Sequence, residues 1–182
     1  MNGKQYLIDL TNENFPVIPT IDSLSSFEKL PNVYTYVVKP KDGADSIGME
    51  FLSKTKVFEQ VNSTNKDTLI QPLINFEYEV SFYFIDKQFQ YALYAPDKTK
   101  RWELKEYIPT EKDLAFAQCF IEWNNLHWGI QRVDACRNEN GELLLVELED
   151  LNPYLSVLEL NSETCNNFIE ALKKSLHKAL QA

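Results

Sequence analysis

The sequence predicts an α+β fold, in which largely antiparallel strands are flanked by helices. Three observations carry that expectation. The run "EYEVSFYFIDKQFQYALYA" (77–95) is rich in aromatic and β-branched residues and turns near Asp86-Lys87, as a hairpin does. Two further apolar segments, 130–137 and 142–149, flank "NENG", whose Asn-Gly pair is a strong short-range hairpin signal. The final stretch, 162–180, repeats Phe168, Leu172, Leu176 and Leu180 at helical spacing.

The remaining elements follow in order. Residues 3–12 read as a short helix, ended by "NEN" and by Pro16 and Pro19, and 23–30 as a second short helix capped by a serine. A strand is expected at 33–39, a loop at 39–48 and a short strand at 49–52. "TLIQPLI" (68–74) reads as a strand that must end or bend at Pro72. A helix is expected at 111–126, opened by Thr110 with Asp113 three residues on, close to a capping box.

Composition narrows the function. A formal net charge of −9 with no basic cluster argues against a nucleic-acid partner, because phosphate neutralisation needs basic patches. No apolar run is long enough for a signal peptide or a membrane span, so no membrane partner is expected. Three widely spaced cysteines suit neither a disulfide framework nor a zinc ribbon, and a reducing cytoplasm is the expected location. The two histidines and Ser156 have no evident catalytic partners, and no Walker motif is present.

Chemistry concentrates in the second hairpin. With Asn140-Gly141 as a two-residue type I′ turn, Glu139 faces Glu142 and every cross-strand pair sums to 281. Asp134 then opposes Glu147, Arg132 opposes Glu149, and all four side chains share one face. Directly opposed Cβ atoms lie about 4.5–5.5 Å apart, and like charges there are unfavourable without a cation. A divalent metal such as Mg²⁺, which takes hard oxygen ligands, would relieve the repulsion. The same residues also admit a plain Arg132–Glu149 salt bridge, and a bulge could slip the register and scatter them. In the first half, "VVKPKDGADSIGM" (37–49) places Lys39 at a strand end, followed by a loop in which Gly43 and Gly48 permit close backbone approach to phosphate. An ordinary surface hairpin has the same composition.

Taken together, "KPKDGADSIGM" and "WGIQRVDACRNENGELLLVELEDLNP" resemble two signatures of the ATP-grasp superfamily. The first is similar to the K-P-x-x-x-x-x-S-x-G-M loop of its D-alanine–D-alanine ligase branch. The second is similar to the R-x-D strand, turn and E-x-N strand of the family. The resemblance implies two α+β lobes with mainly antiparallel sheets enclosing a nucleotide cleft, divided here as a linker helix at 1–14, a small lobe at 15–75 and a large lobe at 76–182. It implies ATP and Mg²⁺ as cofactors, with Asp134, Glu147 and Glu149 as metal ligands. Lys4, Lys39, Ser46 and Gly48 would serve the phosphates and adenine, Gln71 and Leu73 the adenine edge, and Glu79 the ribose. Arg132 would steady the acyl substrate and its oxyanion. Read from the residues alone, Lys98, Lys100 and Arg101 in "APDKTKRWELKEY" (95–107) could reach the γ-phosphate or an acidic substrate, or simply lie on a solvated loop. The implied reaction joins a small-molecule or peptide carboxylate to an amine through an acyl phosphate. A nucleotide-binding module without ligase activity, a small-molecule kinase and a purely structural interaction domain are the alternatives. Glu149 stands where the family usually has asparagine, and a further α/β domain, or a partner chain in its place, is expected ahead of these residues.

Overall fold

The computed structural model describes residues 3–42, 47–61, 67–150 and 152–181. The chain forms two compact units, Met1–Asn75 and Phe76–Ala182.

The first unit opens with α1 (Gln5–Asn12), whose Leu7 and Leu10 are fully buried. A 3₁₀ turn, Leu24–Lys29, follows, with Ser23 as its N-cap accepting from the Ser25 N–H. Three strands, β1 (Thr35–Pro40), β2 (Glu50–Ser53) and β3 (Thr68–Pro72), pair antiparallel in the order β2-β1-β3. The last strand ends at Pro72, which lacks the amide proton a further ladder bond would need. One face of the sheet, bearing Tyr36, Val38, Leu52 and Ile70, packs on Ile21, Phe27, Leu30 and Val57. Val57 comes from α2 (Lys54–Val61), a helix not expected from the sequence because it buries only that one side chain.

The second unit is a five-stranded antiparallel sheet in the order β6-β5-β4-β7-β8. Its strands are β4 (Phe76–Ile85), β5 (Gln88–Ala95), β6 (Lys105–Glu106), β7 (Ile130–Asn138) and β8 (Leu143–Asp150). The β4–β5 hairpin turns at Asp86-Lys87 as expected, with Asp86 at φ 55°. Helix α3 (Glu111–Asn124) begins with a complete capping box: the Asp113 N–H donates to Thr110 Oγ1, and the Thr110 N–H donates to Asp113 Oδ2. It ends two residues before the sequence-based boundary, because Asn125 adopts the left-handed conformation.

The closing helix, α4 (Ser162–Ala179), packs against β4 and β5 through Phe168, Ala171 and Leu172, over Tyr83, Tyr91 and Leu93. Here the sequence-based apolar face needs correcting. Leu176 and Leu180 are exposed, and the buried line continues instead through Ser175, which donates to Asp86 Oδ1. An i, i+4 leucine repeat drifts around a 3.6-residue helix, so its last members leave the face that Phe168 starts.

Candidate functional site

The β7–β8 hairpin does not turn as its Asn-Gly pair suggests. Asn138 donates its N–H to the Glu142 carbonyl and Asn140 does not reach positive φ; only Gly141, at φ 75°, does. The loop is therefore three residues, 139–141, and the pairs beside it sum to 280: Arg137 with Leu143, Cys136 with Leu144, Ala135 with Leu145. A bulge then leaves Val146 as an extra residue, after which the sum becomes 281. Asp134 pairs with Glu147 and Arg132 with Glu149 beyond it.

The bulge therefore assembles the expected quartet rather than scattering it. Gln131 and Arg137 on β7 bond to residues of α3, so Val133 and Ala135 face that helix too, paired with Leu148 and Leu145. In an uninterrupted β8, Leu145, Glu147 and Glu149 would share a face. The extra residue reverses the alternation. Leu145 stays buried toward α3, while Glu147 and Glu149 emerge beside Asp134 and Arg132.

One carboxylate oxygen from each of Asp134, Glu147 and Glu149 lies within 4.8 Å of the others. Arg132 is folded across this group. Its Nη2 donates to Asp134 Oδ2 and to Glu149 Oε1, each at 2.8 Å, its Nε to Asp134 Oδ1 at 2.9 Å, and its Nη1 to the Tyr154 carbonyl at 2.9 Å. Burial pulls the guanidinium pKa down, but the charges of Asp134 and Glu149 and the hydrogen bonds to Asp134 outweigh it and push it above the ordinary value. The arginine is thus a fixed cation.

Strand β4 supplies contacts that sequence reasoning missed. Ser81, opposite Asp134 in the β4–β7 ladder, donates its hydroxyl to Asp134 Oδ1 at 2.6 Å. Tyr83, opposite Arg132, stacks on Tyr91, which donates to the Leu155 carbonyl. Only the pairing of β4 with β7, across about fifty positions of sequence, brings these groups together, and no local motif announces it.

Glu79 and Arg101, read from the sequence as separate sites, are partners. Arg101 Nε donates to Glu79 Oε2 at 2.7 Å and Nη2 to Oε1 at 3.1 Å, a bidentate clamp. The segment carrying Arg101 is tied down where it meets α3. There Tyr107 donates to Asp113 Oδ2, and Arg137 donates to Asp113 Oδ1 at 2.7 Å and to Tyr107 Oη at 3.0 Å.

In the first unit, Lys39 is half-buried on β1, opposite Leu69. Lys4 precedes α1 and donates its backbone N–H to the Lys41 carbonyl; Lys41 itself is ion-paired with Asp22 at 2.7 Å. Gly48 adopts φ 76°, where a Cβ would approach Pro40 to 3.1 Å. Gln71 is buried and its amide donates to Thr20 Oγ1 at 2.7 Å, while the Leu73 N–H donates to the Thr35 carbonyl. Ser46 and Gly43 lie outside the described residues. Burial pushes the Cys119 and Cys136 thiols up to about 11, so both are poor nucleophiles.

No family model and no curated protein matches the sequence. Solved structures do. The ATP-grasp ligase PsnB, complexed with a phosphomimetic variant of its minimal precursor, Mg and ADP, superposes with a TM-score of 0.71 at 15% identity, over 96% of this chain and 57% of that one. D-alanine–D-alanine ligase from Bacillus anthracis, complexed with ATP, gives 0.68 at 13% identity, over 97% and 66%. D-cycloserine synthetase DcsG gives 0.67 at 22% identity, over 95% and 69%. The chain thus spans 57–69% of the length of these three proteins. Two antiparallel sheets with flanking helices, superposing at these scores, define the class: the chain has the ATP-grasp fold.

Proposed function

We propose that this chain binds ATP with Mg²⁺ and joins a carboxylate to an amine through an acyl phosphate. The observation that carries the reading is the convergence of Asp134, Glu147 and Glu149 around Arg132, on a fold shared with ligases. Three carboxylates offering hard oxygens are a donor set suited to Mg²⁺, and a divalent cation relieves their mutual repulsion. When bound, Mg²⁺ supplies charge neutralisation for the transferring phosphoryl group.

The protein's own residues take the remaining roles. Lys4, Lys39 and Gly48 would contact phosphate and base, together with Ser46; Gln71 and Leu73 would read the adenine edge, and Glu79 would accept from the ribose hydroxyls. Arg101 would steady the γ-phosphate as an oxygen of the substrate carboxylate attacks phosphorus and ADP departs. Arg132 would donate to the oxyanion formed when the amine adds to the acyl carbon, before phosphate leaves. Small molecules and peptides are both candidate substrates, since the similar structures include D-alanine–D-alanine ligase and the macrocyclase MdnC bound with precursor peptide MdnA. Among the described residues no helix is long and apolar enough to cross a membrane. The three cysteines are free, which suits a reducing cytoplasm.

MgATP at about a hundred times its dissociation constant should stabilise the chain by roughly 2.7 kcal/mol, a melting shift of about 5–10 °C at this size. ADP release should depend on both acid and amine. A melting shift without such release favours a nucleotide-binding module. Phosphate transfer to a hydroxyl would make it a kinase. No shift at all would sink every nucleotide reading.

A further inference from the structure

Asp134 has two oxygens and they are held differently. Oδ1 accepts from Ser81 at 2.6 Å and from Arg132 Nε at 2.9 Å; among the described residues Oδ2 accepts only from Arg132, through Nη2 at 2.8 Å and Nε at 3.1 Å. The two donors also differ in freedom. Arg132 reaches the carboxylate through a long side chain with several rotatable bonds, and its donors are shared with Glu149 and the Tyr154 carbonyl. Ser81 has one side-chain torsion and sits in the middle of β4, directly opposite Asp134. A cation entering among the three acids repels the guanidinium and can displace it. It cannot displace the serine.

We propose that Ser81 is a positioning residue for the metal: its hydroxyl anchors Asp134 Oδ1, orients the carboxylate plane, and leaves Oδ2 as the atom given to the ion when Arg132 withdraws. The inference rests on the reading of Asp134, Glu147 and Glu149 as metal ligands. A hydroxyl is suited to this task because it fixes the carboxylate without competing for the cation's charge, and outer-shell partners of this kind set ligand orientation.

The test is Mn²⁺ titrated alone into the full chain, with the free ion counted by its paramagnetic resonance signal, alongside a melting curve in metal-free buffer. Ser81→Ala should weaken Mn²⁺ binding about tenfold or more, while Ser81→Thr, which keeps the hydroxyl, should stay within about threefold of the unaltered protein. The melting temperature of Ser81→Ala should stay close to that of the unaltered protein, since Arg132 still covers both oxygens. Unchanged Mn²⁺ affinity in Ser81→Ala, failure of threonine to rescue it, or a collapse of the melting transition in step with the loss of metal would each overturn the assignment. An unaltered protein that takes up no Mn²⁺ would instead overturn the metal site itself, and the inference with it.

Discussion

Arg132 and Asp134 stand two positions apart on one face of β7, and the guanidinium of the first contacts both carboxylate oxygens of the second. With its bond to Glu149, the contact makes Arg132 the resident counter-cation of two acids of the cluster. On the proposed reading a metal ion would compete with it, and the displaced arginine would become available to a substrate.

Replacing Arg132 should separate stability from metal binding. Arg132→Met removes the counter-cation of Asp134 and Glu149, so the metal-free protein should lose about 2 kcal/mol, less than the roughly 3–5 kcal/mol of a fully buried pair because Asp134 and Glu149 retain 18% and 33% exposure. Mn²⁺ binding should tighten, since a competing cation is gone. Chemical denaturation with and without Mn²⁺ measures both. An arginine that merely braces the fold would give the stability loss with no gain in metal affinity.

Arg101 and Glu79 lead to a second expectation. The pair is bidentate but Arg101 is largely exposed, so its contribution to stability should be under about 1 kcal/mol. The proposed roles require the two to part: Glu79 must turn to the ribose, and Arg101 to phosphate. Arg101→Met should then bind adenosine as well as or better than the unaltered protein while binding ATP more weakly. Calorimetric titration with the two ligands gives the comparison, and a parallel loss for both would contradict the assignment of Arg101 to phosphate.

Much of this site was legible because its information is local. The strands at 130–137 and 142–149, the Thr110–Asp113 cap and the Pro72 stop each depend on neighbours a few residues away, and the structure shows all three. The quartet in the second hairpin was placed correctly by an argument with an incorrect step. The two-residue turn was wrong by one position, and the bulge at Val146 restored the count. What could not be read was non-local. Ser81 faces Asp134 only because β4 lies beside β7, and Glu79 meets Arg101 across a loop with no regular pattern. α2 was missed for the opposite reason, having too few apolar residues to reveal a period.

Acid should unfold the second unit partly through Asp113. Burial raises its pKa, but hydrogen bonds from Arg137, Thr110 and Tyr107 outweigh it, and the group lies below the ordinary carboxylate value. A depressed folded-state pKa gives stability that is complete above the unfolded value of about 3.9 and is lost as pH falls through the folded value. Stability measured by urea denaturation should thus decline below about pH 4, and Asp113→Asn should flatten that decline while lowering the plateau at neutral pH. An unchanged acid limb would mean that other carboxylates govern it.

The bulge itself can be removed. Deleting Val146 makes Leu145 and Glu147 adjacent, so a regular ladder would keep Leu145 opposite Ala135, facing α3, and Glu147 opposite Asp134, on the other face. Register and alternation then agree without the extra residue, and the acids should still converge. The cost is the half-buried valine side chain, no more than about 2 kcal/mol. Mn²⁺ affinity should stay within about threefold if pairing alone aims the acids. A bulge also sharpens the local twist of the strand. Should the shortened chain fold yet lose the ion, that twist, and not the register, would be what directs Glu147 toward Asp134.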